Sequence, residues 1–262
     1  MIADMSGKVA LVTGAGSGIG KHIAIRFAQA GMRVAVADIS AAAATGTVQA
    51  LLSLGASAIP LEMDVTLEKQ VDAGFERTLA AFRQIDVLVS NAGTQCISPL
   101  VNLSFEQWKK LLAVHLDGAF LTARAMMRHL LHAKSGGSIL FMGSNHSHRA
   151  SSGKAAYITA KHGLAGLTRA VAREGGASGI RSYLICPGFV DTPLVRNQIP
   201  EQAKLFGISE AEVVRNVMLV DTVDNQFTTT DEVADLALFL ASYPTNALTG
   251  QSFVAAHGAL MH

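Results

Sequence analysis

Short apolar runs alternate with longer stretches of helical periodicity along the whole chain. Val9-Ala-Leu-Val12 reads as a buried strand, followed by a glycine-rich turn and a helix from about Ile19 to Ala30. Gly31 then stands where a helix-terminating glycine belongs. Arg33 to Ala37 forms the second predicted strand, ending at Asp38. Further strands are predicted at Ala58–Leu61, Val87–Ser90, Ser138–Met142, Arg181–Ile185 and Ser252–Val254. Helical patterns fill 41–53, 67–82, 104–132, 156–174 and 230–241, and Ser104-Phe-Glu-Gln107 and Thr229-Thr-Asp-Glu232 each fit a capping box. The strands lack polar and apolar alternation, as expected when both faces of a sheet are covered. Strands separated by helices of this length pair in parallel through right-handed crossovers. The pattern therefore predicts one α/β domain over 1–262, a doubly wound parallel sheet with helices on both faces. The stretch from about 191 to 228 is too long for an ordinary connection and is expected to be a substrate loop or lid, helical in character.

Composition narrows the class. Charged residues make up 16% of the 262 positions, below the ~25% of an average soluble domain, and hydrophobic residues make up 50%. Disorder is excluded, because disordered chains are charged and poor in apolar residues. A net charge of +1 argues against a nucleic-acid partner. With only Cys96 and Cys186 there is no disulfide scaffold, so a reducing compartment is expected. Met1 to Lys8 carry no apolar run of the signal-peptide kind, and no stretch approaches the ~18 apolar residues of a membrane span. A soluble cytoplasmic protein with no membrane partner is expected.

The first candidate chemistry is Thr13-Gly-Ala-Gly-Ser-Gly-Ile-Gly20, between the first strand and the first helix. Gly14, Gly18 and Gly20 let the backbone turn tightly and approach a pyrophosphate, while the helix N-terminus presents free N–H groups through Ser17 to Ile19. Asp38 ends the second strand, where an acid hydrogen-bonds the adenosine ribose hydroxyls. A 2′-phosphate there would meet a carboxylate, with no cation at Ser17 or Ile39 to compensate. The cofactor expected is NAD rather than NADP. Tyr157-Ile-Thr-Ala-Lys161 sets a phenol and an ammonium at i and i+4, on one helix face. A tyrosine of pKa ~10 is a poor acid–base catalyst near neutrality unless a nearby cation favours the phenolate. Ser144, Asn91-Ala-Gly93, Pro187-Gly188 and Thr192 all fall at the carboxyl ends of predicted strands, where open α/β sheets bind ligands.

The glycine motif, Asp38, Asp64-Val65, Asn91-Ala92-Gly93, Ser144, Tyr157, Lys161 and Pro187-Gly188 together resemble the short-chain dehydrogenase/reductase family, in order and over essentially the whole chain. The resemblance implies a Rossmann-like fold. It implies that Tyr157 is the general acid or base, that Ser144 orients the substrate oxygen, and that Lys161 binds the nicotinamide ribose and lowers the tyrosine pKa. It also places Asp64 and Val65 by the adenine, and Pro187, Gly188, Val190 and Thr192 by the nicotinamide. A homotetramer is usual in such proteins. One departure stands out: His115-Leu-Asp-Gly-Ala-Phe120 puts histidine where the family has a catalytic asparagine that holds a proton-relaying water. An imidazole can also relay protons, but it is larger and can become charged. His115 is therefore taken as the fourth catalytic residue, with a slow or impaired relay as the alternative.

Within the family the chain is most similar to bacterial D-3-hydroxybutyrate dehydrogenases, through Asn91-Ala-Gly-Thr-Gln95, Ser144-Asn-His146, Lys154 and Cys186-Pro-Gly-Phe-Val-Asp-Thr-Pro-Leu-Val-Arg-Asn-Gln198. That likeness implies that Gln95, His146, Lys154 and Gln198 hold a substrate carboxylate, which is sound chemistry for a small anion. The C-terminal Val254-Ala-Ala-His-Gly-Ala259 departs from the likeness, which has an aspartate, two glycines and a tryptophan; Ala256 and Ala259 take the aspartate and tryptophan places. Two other readings stay open: a dehydrogenase of a neutral secondary alcohol, sugar or polyol, and a nucleotide-binding protein of this fold that has lost turnover. No metal is expected, because His146-x-His148 has no third ligand spaced nearby. His129 and His132 read as surface or interface residues, and Cys186 has no apparent base.

Overall fold

The computed structural model describes residues 3–261, so Met1, Ile2 and His262 of the terminal stretches lie outside it. Seven parallel strands form one sheet: β1 (Val9–Thr13), β2 (Arg33–Asp38), β3 (Ala58–Glu62), β4 (Val87–Ser90), β5 (Gly137–Met142), β6 (Ile180–Pro187) and β7 (Ser252–Ala255). Their order is β3-β2-β1-β4-β5-β6-β7. The chain winds outward from β1 to β3, crosses back to β4 beside β1, and winds outward again. Ala10 of β1 thus sits between Val34 of β2 and Val87 of β4. That reversal leaves a crevice at the carboxyl ends of β1 and β4.

All five β1 residues are buried, but alternate ones enter different cores, because successive strand side chains point to opposite faces. Ala10 and Val12 join Ile23 and Phe27 of α1 (Gly18–Gln29), Val48 and Leu51 of α2 (Ala41–Ser53), and Val233 and Leu240 of α10 (Thr230–Ser242). Val9 and Leu11 join Val71 and Phe75 of α3 (Glu68–Phe82), Met126 and Leu130 of α5 (Gly118–Ala133), and Leu164 and Val171 of α6 (Ala155–Gly175). Pro60, which has no N–H to give a ladder, lies in edge strand β3. Both expected capping boxes form: Ser104 Oγ accepts the Gln107 amide at 3.1 Å, and Thr229 Oγ1 accepts that of Glu232 at 3.2 Å. Among the described residues no helix is long and apolar enough to cross a membrane.

Three findings refine the sequence expectations. The helix expected over 104–132 is α4 (Phe105–Leu112), a π-helical turn at Ala113–Asp117, and then α5. The helical character expected for 191–228 is divided among three short helices, α7 (Pro193–Arg196), α8 (Gln198–Phe206) and α9 (Glu210–Val213), and a π-helical turn at Val214–Met218, around their own apolar cluster. His129, expected to be a surface or interface residue, is partly buried, and its Nε2 accepts the Ile85 N–H at 3.2 Å, securing the entry to β4. Acceptance requires a neutral ring, and burial holds the His129 pKa below its usual value. A depressed histidine pKa gives stability that is present above the unfolded value and lost as pH falls toward the folded one. His129→Leu is expected to cost roughly 1–3 kcal/mol by orphaning the Ile85 amide, and to flatten the loss of stability below about pH 6.5. Urea unfolding of both proteins across that pH range checks this.

Candidate active site

The crevice at the sheet's reversal opens into a cleft of about 610 Å³. Its floor is set by a clip between β1 and β4. Thr13 Oγ1 accepts the backbone N–H of Asn91 at 2.9 Å and of Ala92 at 3.0 Å. The Asn91 side chain returns two bonds, Nδ2 donating to Thr13 O at 2.9 Å and to Gly14 O at 3.2 Å. A β carbon on Gly20 would lie 2.4 Å from Gly14 O, so only glycine lets α1 start this close to the strand end. Gly14 has φ 61° and turns the chain there, a conformation that side-chain-bearing residues avoid. Ser17 makes no side-chain cap, leaving the first amides of α1 open to an anion. Asp38 Oδ2 accepts the Gly16 N–H at 2.9 Å and Oδ1 that of Ser40, so the carboxylate is fixed beside the glycine turn. Such a cradle fits a dinucleotide.

The catalytic candidates stand further along the cleft. Ser144 Oγ accepts the His146 N–H at 3.1 Å and donates to Asn145 Oδ1. Lys161 Nζ donates to Met142 O at 2.6 Å and lies 5.3 Å from the Tyr157 ring centre. Burial pushes Tyr157 up to about 12, against the lowering effect of Ser144, and pushes Lys161 down to about 7. The depression of the tyrosine by the lysine that the resemblance implies is opposed by this burial, which keeps the phenol protonated.

His115 occupies the π-helical turn and is 3% exposed. Its Nε2 lies 2.7 Å from Thr94 O and 3.1 Å from Thr94 N, while Nδ1 is buried without a partner. Its ring meets that of Tyr157 edge-on at 5.5 Å. A β carbon on Gly93 would come 2.6 Å from His115 Cε1, so the glycine makes room for the imidazole. Burial first, then the charge of Lys161, pushes His115 down to about 3. Burial therefore favours the neutral form of this ring.

At the other end Lys154 is 4% exposed and makes no ion pair among the described residues. Its Nζ lies 4.8 Å from the Phe189 ring centre, and burial pushes it down to about 8. His146 Nε2 pairs with Ser151 Oγ at 2.8 Å, and burial ahead of the Lys154 charge pushes this ring down to about 3. Gln198 Nε2 donates to Leu194 O at 3.0 Å, and its Oε1 is buried without a partner. Gln95 Oε1 accepts the Cys96 N–H.

Of the catalytic, cofactor and substrate residues expected from the sequence, only Gly20 is absent from the cleft lining; its part is packing. Gly14, Ser17, Gly18, Ile19, Asp38, Asp64, Val65, Asn91, Ala92, Gly93, Pro187, Gly188, Val190 and Thr192 line this cleft together with Gln95, His146, Lys154 and Gln198, and with Ser144, Tyr157, Lys161 and His115. Sequence reasoning missed Thr13, although it opens the glycine motif, and Phe189, the aromatic that follows Pro187-Gly188. It also missed a partner for Cys186, whose Sγ is 3.7 Å from His148 Nε2; burial still pushes that thiol up to about 11, so it is no nucleophile. No group of three or more metal-ligating side chains occurs among the described residues.

The family model described as Enoyl-(Acyl carrier protein) reductase matches residues 14–259. The chain is 38% identical to the D-beta-hydroxybutyrate dehydrogenase of Rhizobium meliloti (strain 1021), over 93% of this chain and 95% of that protein. It is 33% identical to the protein of the same name from Cupriavidus necator, over 94% and 95%. The 3-oxoacyl-[acyl-carrier-protein] reductase FabG of Thermotoga maritima is 32% identical over 94% and 95%. A short-chain type dehydrogenase/reductase from Mycobacterium marinum superposes with a TM-score of 0.88 at 29% identity, covering 98% of this chain and 96% of that one. With the glycine cradle, the Ser144–Tyr157–Lys161 group and these matches along nearly its full length, the chain belongs to the short-chain dehydrogenase/reductase family of oxidoreductases.

Proposed function

We propose that this oxidoreductase is an NAD-dependent dehydrogenase that interconverts a short 3-hydroxy acid, 3-hydroxybutyrate above all, and its 3-oxo acid. The observation that carries the reading is Lys154, a buried cation in the cleft wall with no acidic partner among the described residues. Burying an ammonium is costly, and a substrate carboxylate would offset that cost through charge-assisted hydrogen bonds. Gln95, neutral His146 and Gln198 surround the same end with directed donors and acceptors. The likeness to two proteins named D-beta-hydroxybutyrate dehydrogenase supports the same substrate.

The residues of the glycine turn would hold the cofactor pyrophosphate, Asp38 the adenosine ribose, and Asp64 and Val65 the adenine. Asn91 to Gly93, Lys161 and the Pro187 to Thr192 segment would hold the nicotinamide end. The bound nicotinamide supplies or accepts the hydride. In reduction Tyr157 Oη would give its proton to the forming hydroxyl; in oxidation the phenol would first lose that proton toward solvent, and its phenolate would then take the hydroxyl proton. Ser144 Oγ orients the reacting oxygen, and Lys161, held by Met142 O, supplies positive charge near the phenol. His115 remains neutral, fixing the Thr94 backbone while presenting its free Nδ1 as an acceptor. The α7–α9 segment covers the carboxylate end and excludes water. Exposed Phe105, Phe120 and Leu131 along α4 and α5 support a homotetramer, and the two free thiols a cytoplasmic location.

Cofactor choice is tested by Asp38→Ala, which should narrow a preference for NAD over NADP by roughly 10-fold in kcat/KM. Equal or better turnover of the wild type with NADP would overturn the assignment. Tyr157→Phe keeps the ring and removes the proton, so kcat should fall by at least ~10²-fold with NADH binding retained; comparable activity would mean another residue is the acid. The carboxylate is tested by comparing 3-hydroxybutyrate with its methyl ester and 2-butanol. Lys154→Ala should cost about 10- to 100-fold in kcat/KM for the acid and little for the others. KM for the acid should also rise above about pH 8, as Lys154 loses its proton. If acid and ester react equally well in the wild type, a neutral secondary alcohol is the substrate.

A further inference from the structure

At its far end the 191–228 segment runs into α10, and there it meets the C-terminal stretch that follows β7. His257 sits at this junction with both ring nitrogens engaged. Nδ1 is 2.7 Å from Asp224 Oδ2, on the segment's exit, and Nε2 is 3.3 Å from Glu232 Oε2, in the first turn of α10. Glu232 already accepts the Thr229 N–H at 2.7 Å in the capping box. Carboxylates only accept hydrogen bonds, and an imidazole carries two N–H donors only when protonated. Both bonds together therefore require the imidazolium. A neutral ring that keeps its bond to Asp224 turns a bare lone pair toward Glu232.

The backbone makes this histidine conspicuous. His257 adopts φ 48° and Gly258 φ 75°, a left-handed pair that favours glycine at both places. A side chain retained in such a conformation is held by its surroundings, and strain of this kind points to a role. The main chain adds to the junction, because Val223 N donates to His257 O at 2.9 Å. A β carbon on Gly258 would lie 2.6 Å from Val223 Cγ1, so the exit packs directly on the C-terminal turn. Arg149 Nη1 donates to Asp221 Oδ2 at 2.6 Å and to Ala259 O at 3.1 Å, joining the same two pieces to the loop that carries Ser144 and His146.

Asp224 and Glu232 are the charged groups facing His257; Arg149, from the third element at the junction, is engaged by Asp221. We propose that His257 is a positioning residue whose protonated ring ties the lid exit to α10 and the C-terminal turn, holding Gln198 over the substrate end, and whose deprotonation loosens the lid. The hydrogen bond to Asp224, followed by that to Glu232, outweighs partial burial and raises the His257 pKa above its usual value. With a raised pKa the tie is whole below about pH 6.5 and is lost as pH rises through the folded value. The proposal rests on the proposed substrate only in giving Gln198 something to hold; the tie itself does not.

Hydrogen exchange of residues 219–228, in the full protein without substrate and corrected for intrinsic rates, tests the tie. Between about pH 6 and about pH 9 the wild type should lose roughly 10-fold in protection there. His257→Gln should show the high-pH behaviour at both values. His257→Gly, which suits the backbone and keeps the fold, should match it. In kinetics, the KM of His257→Gln for 3-hydroxybutyrate, divided by that of the wild type, should fall toward one over the same range; titration of Lys154, common to both, cancels. Corrected exchange that is pH-independent in the wild type, or a variant-to-wild-type difference that is the same at both pH values, would overturn the proposal and leave His257 a structural contact. Absence of turnover on the acid by every protein would instead overturn the substrate reading, and the exchange result would stand on its own.

Discussion

Two neighbouring parallel strands must be held together where the winding of the sheet reverses, and the hydroxyl of Thr13 with the amide of Asn91 meets that need. A βαβ sheet leaves its strand ends as bare backbone, and at β1 and β4 those ends form the floor of the cleft. Four hydrogen bonds between two short side chains and the opposite main chain satisfy them. With the floor fixed, Gly14 can turn and Gly20 can admit α1 against it. Gly93 can then leave β4 on the side where His115 sits. The cofactor cradle and the proton-transfer end are thus referenced to one small polar clip.

Burial then governs the electrostatics. His115, His146, Lys154 and Lys161 are all displaced toward their neutral forms, and Tyr157 toward its protonated form. Around the reacting groups the charge of the cleft is therefore carried by Lys154 and part of Lys161, apart from the carboxylates of Asp38 beside the glycine turn and of Asp64. An anionic group entering beside Lys154 would restore its full charge. Binding and protonation are coupled at that end, whereas the two histidines act through hydrogen bonding alone.

The fold was largely legible in the order of apolar runs, because strands buried on both faces and capped helices leave strong local marks. Thr229-Thr-Asp-Glu232 and the i, i+4 pair Tyr157 and Lys161 needed only a few neighbouring residues to be read. What escaped depends on distant partners. His129 looked like a surface residue because the amide it accepts belongs to Ile85, 44 positions away. His257 carried no signal, since Asp224 and Glu232 lie 33 and 25 positions before it. The neutrality of His115 is a matter of burial, which no spacing reports, and the π-helical turn around it hid inside a continuous apolar period. For the same reason the burial of Lys154, which was legible only through the resemblance as a carboxylate ligand, has no mark in its neighbouring residues.

That wide turn has a mechanical meaning of its own. A residue inserted in a helix rotates everything beyond it by about 100°. Before the turn, Trp108 and Leu111 of α4 pack with Ala156 and Ala160 of α6; beyond it, Met126 and Leu130 of α5 face the sheet. The turn thus works as a phase shifter, letting one rod serve two surfaces that a regular helix would leave out of step. Losing one residue here would throw the two halves out of phase, while the same loss near the solvent-facing end of α5 would only shorten it. The length of this helix is therefore constrained at its middle rather than at its end.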